Sequence, residues 1–190
     1  MAYNGNRSRG SGYSRNNKYG ARAQYQRVRS NPVEVKYHLT EHSHDFALSN
    51  PHTGILTTLT SGSGRDQRVG NQATILNIKG SWGSPAINSE FVRFIIYIPR
   101  QATNVLTPSL ITSAVDPNEF IVLYDKLWRP ESYAGDDMIN FNIPMKRNVR
   151  YKGTGSADYV TPVVKYFAMC SNPLVGTKVS QGNWVTTFVG

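Results

Sequence analysis

The first side chains that could do chemistry are cations. Arg7, Arg9, Arg15, Lys18, Arg22, Arg27 and Arg29 are the charged residues of the first 30 positions, and no acid precedes Glu34. Tyr3, Tyr13, Tyr19 and Tyr25 are threaded among them. Arginine and lysine neutralise phosphates and release counterions, while tyrosine rings stack on exposed bases. Interleaving the two types suits a single-stranded nucleic acid, whose bases are open to stacking. The seven cations, with Tyr13, Tyr19 and Tyr25, are therefore the candidate contacts. A solubilising or targeting tail is the plainer alternative, although the dense lysine cluster of a nuclear-import signal is missing. The segment carries no amphipathic apolar stripe that would insert into a membrane.

Three other groupings raise chemical questions. His38, Glu41, His42, His44 and Asp45 fall within eight residues. Imidazoles and carboxylates so placed could ligate a transition metal or form a pH-sensitive contact. Their spacing does not match the helical His-Glu-x-x-His arrangement and no cysteine joins them, so a polar strand end running into a turn is the alternative. Asp136 and Asp137, with Glu131 nearby, could hold calcium or do acid–base work, but in a glycine-containing loop such pairs also serve as turn residues. Gly62, Gly64 and Gly70 form neither a phosphate-binding loop nor a dinucleotide fingerprint, since no helix follows. Arg65 and Arg68 in that stretch are candidates for contact with phosphate or a neighbouring chain. Cys170 is the single cysteine. It can form no internal disulfide and sits in an apolar stretch that reads as inert core. Ser, His and Asp are all present, but without a nucleophile elbow. No enzyme activity, cofactor or metal is expected.

The elements that must carry these residues read as strands. The 190-residue chain has a net charge of +9, of which the first 30 residues contribute seven. The rest is close to neutral, so the basicity belongs to a segment. Residues 1–32, rich in Gly, Ser, Asn, Arg and Tyr, cannot bury enough apolar surface to offset ordering and are expected to be a disordered arm. Residues 33–190 change texture. "VEVKYHL" alternates, with Val33, Val35, Tyr37 and Leu39 on one face, and reads as a half-buried strand. "MINFNIP" alternates as well, with Ile139, Phe141 and Ile143 against Asn140 and Asn142, and "NWVTTFVG" puts Trp184, Thr186 and Phe188 on one face and Val185, Thr187 and Val189 on the other. "ATILNIKGSW", "EFVRFIIYIPR", "EFIVLYDKLW" and "TPVVKYFAMC" read as strands buried more fully. "RNVRYKG" and "GILTTLT" are weaker. Only "NVLTPSLITSAV" has a helical look, and Pro108 interrupts it. The longest apolar run, "FIIYIP", is too short to span a bilayer, and no apolar run follows the N-terminal cations, so a soluble cytosolic product is expected. Many strands joined by long loops point to an all-β Greek-key sandwich, with a jelly roll as one case.

Three segments resemble a known family. In "GSGRDQRVGNQATILNIKG" (Gly62–Gly80) an Arg-x-Gly pair, Arg68 and Gly70, leads into a strand. "RFIIYIPRQ" (Arg93–Gln101) and "FIVLYDKLW" (Phe120–Trp128) look like paired hydrophobic strands, the second containing Tyr124-Asp125-Lys126. Together with the basic arm they are similar to the capsid protein of small circular, Rep-encoding single-stranded DNA viruses (circovirus-like). That family is similar in turn to coat proteins of the satellite tobacco necrosis virus type. The resemblance implies a single jelly roll of two four-stranded antiparallel sheets and self-assembly into the smallest icosahedral shell (T=1, roughly 60 copies). It also implies an arm inside the shell packaging single-stranded DNA, or RNA, largely without regard to sequence. Arg93, Arg100, Lys146, Arg147, Arg150 and Lys152 are candidates for the shell's inner lining. Tyr133, Trp82, Trp128 and Trp184 are candidates for interface anchors or for core. The expected location is the virion, with assembly in the host nucleus. The alternative of another class is a non-capsid β-barrel or sandwich module that binds single strands without forming a shell. Against it, the charge lies on the arm while the domain is near neutral.

Overall fold

A computed structural model describes residues 34–46, 50–84, 91–130, 138–153, 159–171 and 179–190. The chain divides into two units, Met1–Pro32 and Val33–Gly190, and every described residue belongs to the second. The ten arm contacts named above, with Glu131, Tyr133, Asp136 and Asp137, lie outside the described residues.

Eight strands run in chain order: β1 (Lys36–Asp45), β2 (His52–Ile55), β3 (Gln72–Gly83), β4 (Val92–Pro99), β5 (Phe120–Trp128), β6 (Met138–Arg150), β7 (Lys165–Cys170) and β8 (Val179–Val189). No helix occurs among the described residues. The strands form two four-stranded sheets in the orders β1-β8-β3-β6 and β2-β7-β4-β5, with antiparallel pairing throughout. Consecutive strands alternate between the sheets except at β4–β5, which pair as neighbours. This is the double Greek key of an eight-stranded jelly roll. The helical-looking stretch around Pro108 is irregular loop.

Alternation places the core as expected on β6, and on β8 the structure selects one of the two faces. Ile139, Phe141 and Ile143 of β6 and Trp184, Thr186 and Phe188 of β8 all point inward. Trp184 Nε1 and Thr186 Oγ1 both donate to the Leu56 carbonyl, each at 3.1 Å, which ties β8 to the chain following β2. Of the aromatic residues weighed as interface anchors, Trp82 and Trp184 are fully buried and belong to the core. Trp128 is partly buried against it.

β1 runs in the opposite phase to the one its sequence suggests. Tyr37 and Leu39 are each 60 % exposed, and Val35 is exposed as well, whereas Lys36 is 5 % exposed. Alternation reports a period of two; which side faces inward is settled by what the inner side meets. Lys36 Nζ donates to the carbonyl of Gln67 at 3.1 Å and lies 3.4 Å from that of Gly64. The inner end of the strand meets a bed of aromatic rings. His42 lies opposite Gly182 of β8, which in turn lies opposite Trp82 of β3. A Cβ on Gly182 would stand 2.5 Å from the Trp82 ring, so the glycine leaves space for His42 and Trp82 to stack across it at 5.5 Å.

β4 is buried along its whole length because both of its faces are covered. Phe94, Ile96 and Ile98 enter the sandwich core. Ile95 and Tyr97 face the other way and form a second cluster with Leu106, Phe120 and Phe167, under the connection between β4 and β5. Arg93 lies on this outer side. Its guanidinium pairs with both Asp125 oxygens, at 2.9 and 2.6 Å, and donates to the carbonyls of Ile111 and Ser113 at 2.9 and 2.6 Å. It therefore clamps the long loop onto the sheet, and Tyr124-Asp125-Lys126 is marked by a structural partner. Asp125→Asn removes the charge from this pair and is expected to cost about 1.5–3 kcal/mol, measured by urea unfolding. A cost under about 0.5 kcal/mol would mean that the carbonyls alone hold Arg93.

β5 is not the buried strand its composition suggests. It forms an edge of its sheet and leaves Ile121, Val122 and Leu127 exposed. Its apolar content serves two surfaces, since Phe120 enters the second cluster and Leu123, Tyr124 and Trp128 pack against the main core.

Candidate functional site

The cations expected to meet phosphate or line a shell divide between the fold and the surface. Arg68, Arg93 and Arg147 are committed to the fold, as are Lys36 and Lys165. Arg68 is fully buried. Its Nε donates to the Leu59 carbonyl at 3.0 Å, and its two terminal nitrogens donate to the carbonyls of Gly70 and Gly153. The guanidinium lies 4.0 Å over the Tyr151 ring. Burial pushes the Tyr151 phenol up to about 12 despite the cation beside it, so it remains protonated. The expectation that Arg68 contacts phosphate or a neighbouring chain is thus corrected: it pins the Gly62–Gly70 loop from within. Gly70, at φ +75°, makes the turn that brings its carbonyl to Arg68, a conformation glycine adopts without penalty. Arg147 donates to the Pro162 carbonyl, and burial lowers its pKa. Arg93 and Arg147 are accordingly not free lining charges.

Arg65, Lys79, Arg100, Lys146, Arg150 and Lys152 are exposed. Lys79, Lys146 and Arg150 stand on the outer face of the β1-β8-β3-β6 sheet, among amides that pair across strands. Asn77 Nδ2 donates to Asn142 at 2.9 Å, Ser81 Oγ to Asn183 at 2.8 Å and Thr74 Oγ1 to Asn148 at 2.6 Å.

Two apolar strips lie on opposite sides of the sandwich. Val35, Tyr37 and Leu39 form the first, and the register places Leu39 beside Val185 of β8. Val122 and Leu127 of β5 form the second, beside their register partners Tyr97 and Arg93 on the outer side of the other sheet. β5 touches β6, and the histidines of β1 meet His52 of β2, so the sheets stack with β1 over β2 and β6 over β5. The two strips therefore belong to opposite flanks.

A third feature is built from imidazoles. His42 and His44 project inward from β1, and His52 reaches them from β2. The His44 and His52 rings stack at 3.6 Å, and those of His42 and His52 at 5.1 Å. The Tyr166 hydroxyl lies 2.9 Å from Nε2 of both His42 and His52 and is hydrogen-bonded to each. Burial, and secondarily His44, lowers the pKa of His42. Burial, then His44 and His42, brings His52 down to about 4. Both rings are neutral at neutral pH. Sequence spacing groups His38, Glu41 and Asp45 with this pair, but the strand separates them. Glu41 and Asp45 stand on the opposite face of β1, and His38 lies further along it. His52 belongs to the cluster and was missed, because only sheet stacking brings β2 beneath β1.

No protein-family model and no curated protein sequence matches the chain. Among solved structures, it is similar to a structure of infectious bursal disease virus Gx strain, with 8 % identity over 84 % of this chain and a TM-score of 0.28. It covers 33 % of that protein, so the chain spans about a third of its length. It is also similar to a crystal structure of the decameric BFDV capsid protein, with 12 % identity over 82 % of this chain and 97 % of the other, at a TM-score of 0.33. Likenesses of this degree establish no family, and the jelly roll stands on its own strand pairing.

Proposed function

We propose that the chain is a capsid subunit that self-assembles into a closed icosahedral shell of roughly 60 copies and packages single-stranded nucleic acid. The observation that carries this reading is the placement of the two exposed apolar strips. They differ from each other and lie on opposite flanks, so the β1 strip of one copy meets the β5 strip of the next. Such a head-to-tail contact repeats around a ring and closes when the rotation allows. Exposed apolar side chains grouped on edge strands are otherwise a liability in a lone domain. Arg7, Arg9, Arg15, Lys18, Arg22, Arg27 and Arg29 neutralise the packaged phosphates, and Tyr13, Tyr19 and Tyr25 stack on its bases. DNA is the favoured cargo, the virion the location and the host nucleus the place of assembly.

A second reading, a free sandwich module that coats single strands, draws on Lys79, Lys146 and Arg150 on the amide-rich outer sheet. Negative-stain microscopy of the purified chain, with the 260/280 nm absorbance ratio on the same fraction, separates the two. The shell reading expects uniform round particles with a high ratio. Deleting residues 1–32 is expected to leave a folded domain whose ratio falls to that of pure protein. Small species without particles at any salt concentration would sink the shell reading and leave the binding module. A truncated chain that still carries nucleic acid would place binding on the sheet face.

A further inference from the structure

We propose that His42, His44 and His52 form a binding site for a transition-metal dication of the zinc class, clipping the two sheets together where β1 lies over β2. One ring nitrogen from each residue takes part, and the three nitrogens lie within 4.8 Å of one another. An all-imidazole set suits zinc, copper or nickel and disfavours the hard cations calcium and magnesium. All three residues are half-buried, so the site is shielded yet open to an entering ion.

One feature favours a ligand over a packing role alone. Nε2 of His42 and Nε2 of His52 converge on one point, the Tyr166 oxygen, although their rings are stacked. The hydroxyl holds both rings in orientation, as a neighbouring hydrogen-bond partner orients metal-ligating histidines. Tetrahedral coordination with bonds of about 2.0–2.1 Å requires the nitrogens to close to about 3.3 Å. Side-chain rotation on two edge strands allows that closure while the backbone stays in register.

The consequence is mechanical. Among the described residues, β1 pairs only with β8, and β2 only with β7. A metal held by His42 and His44 on one and His52 on the other links two strands that share no ladder. The proposal does not depend on the capsid reading and can fail without it.

The test uses the full chain without a histidine tag, held in one oligomeric state and freed of metal by a chelator. Zinc chloride at a hundredfold excess over its Kd is expected to raise Tm by about 5–10 °C. Magnesium chloride is expected to leave it unchanged, and cobalt(II) to give the visible d–d band of tetrahedral coordination. His52→Phe retains a ring in the stack but offers no nitrogen. It is expected to keep nearly the wild-type metal-free Tm while losing the zinc shift and the cobalt band. His44→Gln provides the same comparison if His52→Phe does not fold. No zinc shift in the wild-type chain at millimolar concentration, or an undiminished shift in these variants, overturns the proposal.

Discussion

Arg68→Met is expected to destabilise the domain by about 3–5 kcal/mol, a large share of the about 5–15 kcal/mol that holds an ordinary domain together. The guanidinium is fully buried and serves the carbonyls of Leu59, Gly70 and Gly153 while lying on the Tyr151 ring. Methionine fills much of the same volume but donates nothing. Three carbonyls then lose a charged donor, each at a cost of about 1–3 kcal/mol if water cannot replace it. Their origins explain why the loss is not local. Leu59 and Gly70 lie at the two ends of the β2–β3 connection and Gly153 follows β6, so one side chain closes one connection and ties it to a second. Arg68→Lys keeps the charge but not the planar fork, whose nitrogens point in fixed directions, and is expected to fall between wild type and Arg68→Met. Urea unfolding of the unassembled subunit is the measurement. A loss under about 1 kcal/mol for Arg68→Met would mean that water enters and satisfies the carbonyls, and that the residue is replaceable.

Arg68 also shows where the sequence is readable and where it is not. Strand content, the sandwich class and the inner face of β6 follow from alternation, because on β6 Ile139, Phe141 and Ile143 contrast with Asn140 and Asn142; on β8 both faces carry apolar residues, so the period is legible and the phase is not. β1 has the same period but the opposite phase. Of its inward polar set, Lys36 finds carbonyls and His42 aromatic rings, a destination fixed by Gln67, Gly182, Trp82 and Trp184 far along the chain. β5 reads as buried because composition cannot distinguish an edge strand with one exposed apolar flank from a central strand covered on both. The glycine-rich loop around Gly62–Gly70 reads as mobile, and its arginine as available, since nothing local discloses that Tyr151 and Gly153 will close over it. The Arg93–Asp125 pair spans 32 positions and becomes visible only once β4 and β5 are known to pair. His52 illustrates the same limit. It lies eight residues after His44, and a close count of histidines around the β1–β2 connection was the one signal that could have flagged it.

Leu39→Asp, or Leu127→Asp on the opposite flank, is expected to abolish particle formation while leaving the subunit folded. Leu39 is 60 % exposed in the isolated domain, so a carboxylate there stays hydrated and changes its stability by no more than about 0.5 kcal/mol. Once covered by a neighbouring copy, the same carboxylate would be desolvated without a partner, at about 3 kcal/mol or more in every contact of the shell. Far-UV circular dichroism and thermal melting should match wild type, while sedimentation velocity should show only the monomer. Mixing the two variants tests the head-to-tail geometry. Leu127→Asp retains an intact β1 strip and Leu39→Asp an intact β5 strip, so together they form one sound contact, while the other contact between them would set two carboxylates against each other. An equimolar mixture is therefore expected to give a 1:1 heterodimer that cannot propagate, although each variant alone stays monomeric. If the contacts were isologous, each strip pairing with its own kind, each variant alone would dimerise through its undamaged flank. Homodimers in either single sample would thus replace the head-to-tail contact with a two-fold one, and unimpaired particles from both variants would remove the apolar strips from the assembly altogether.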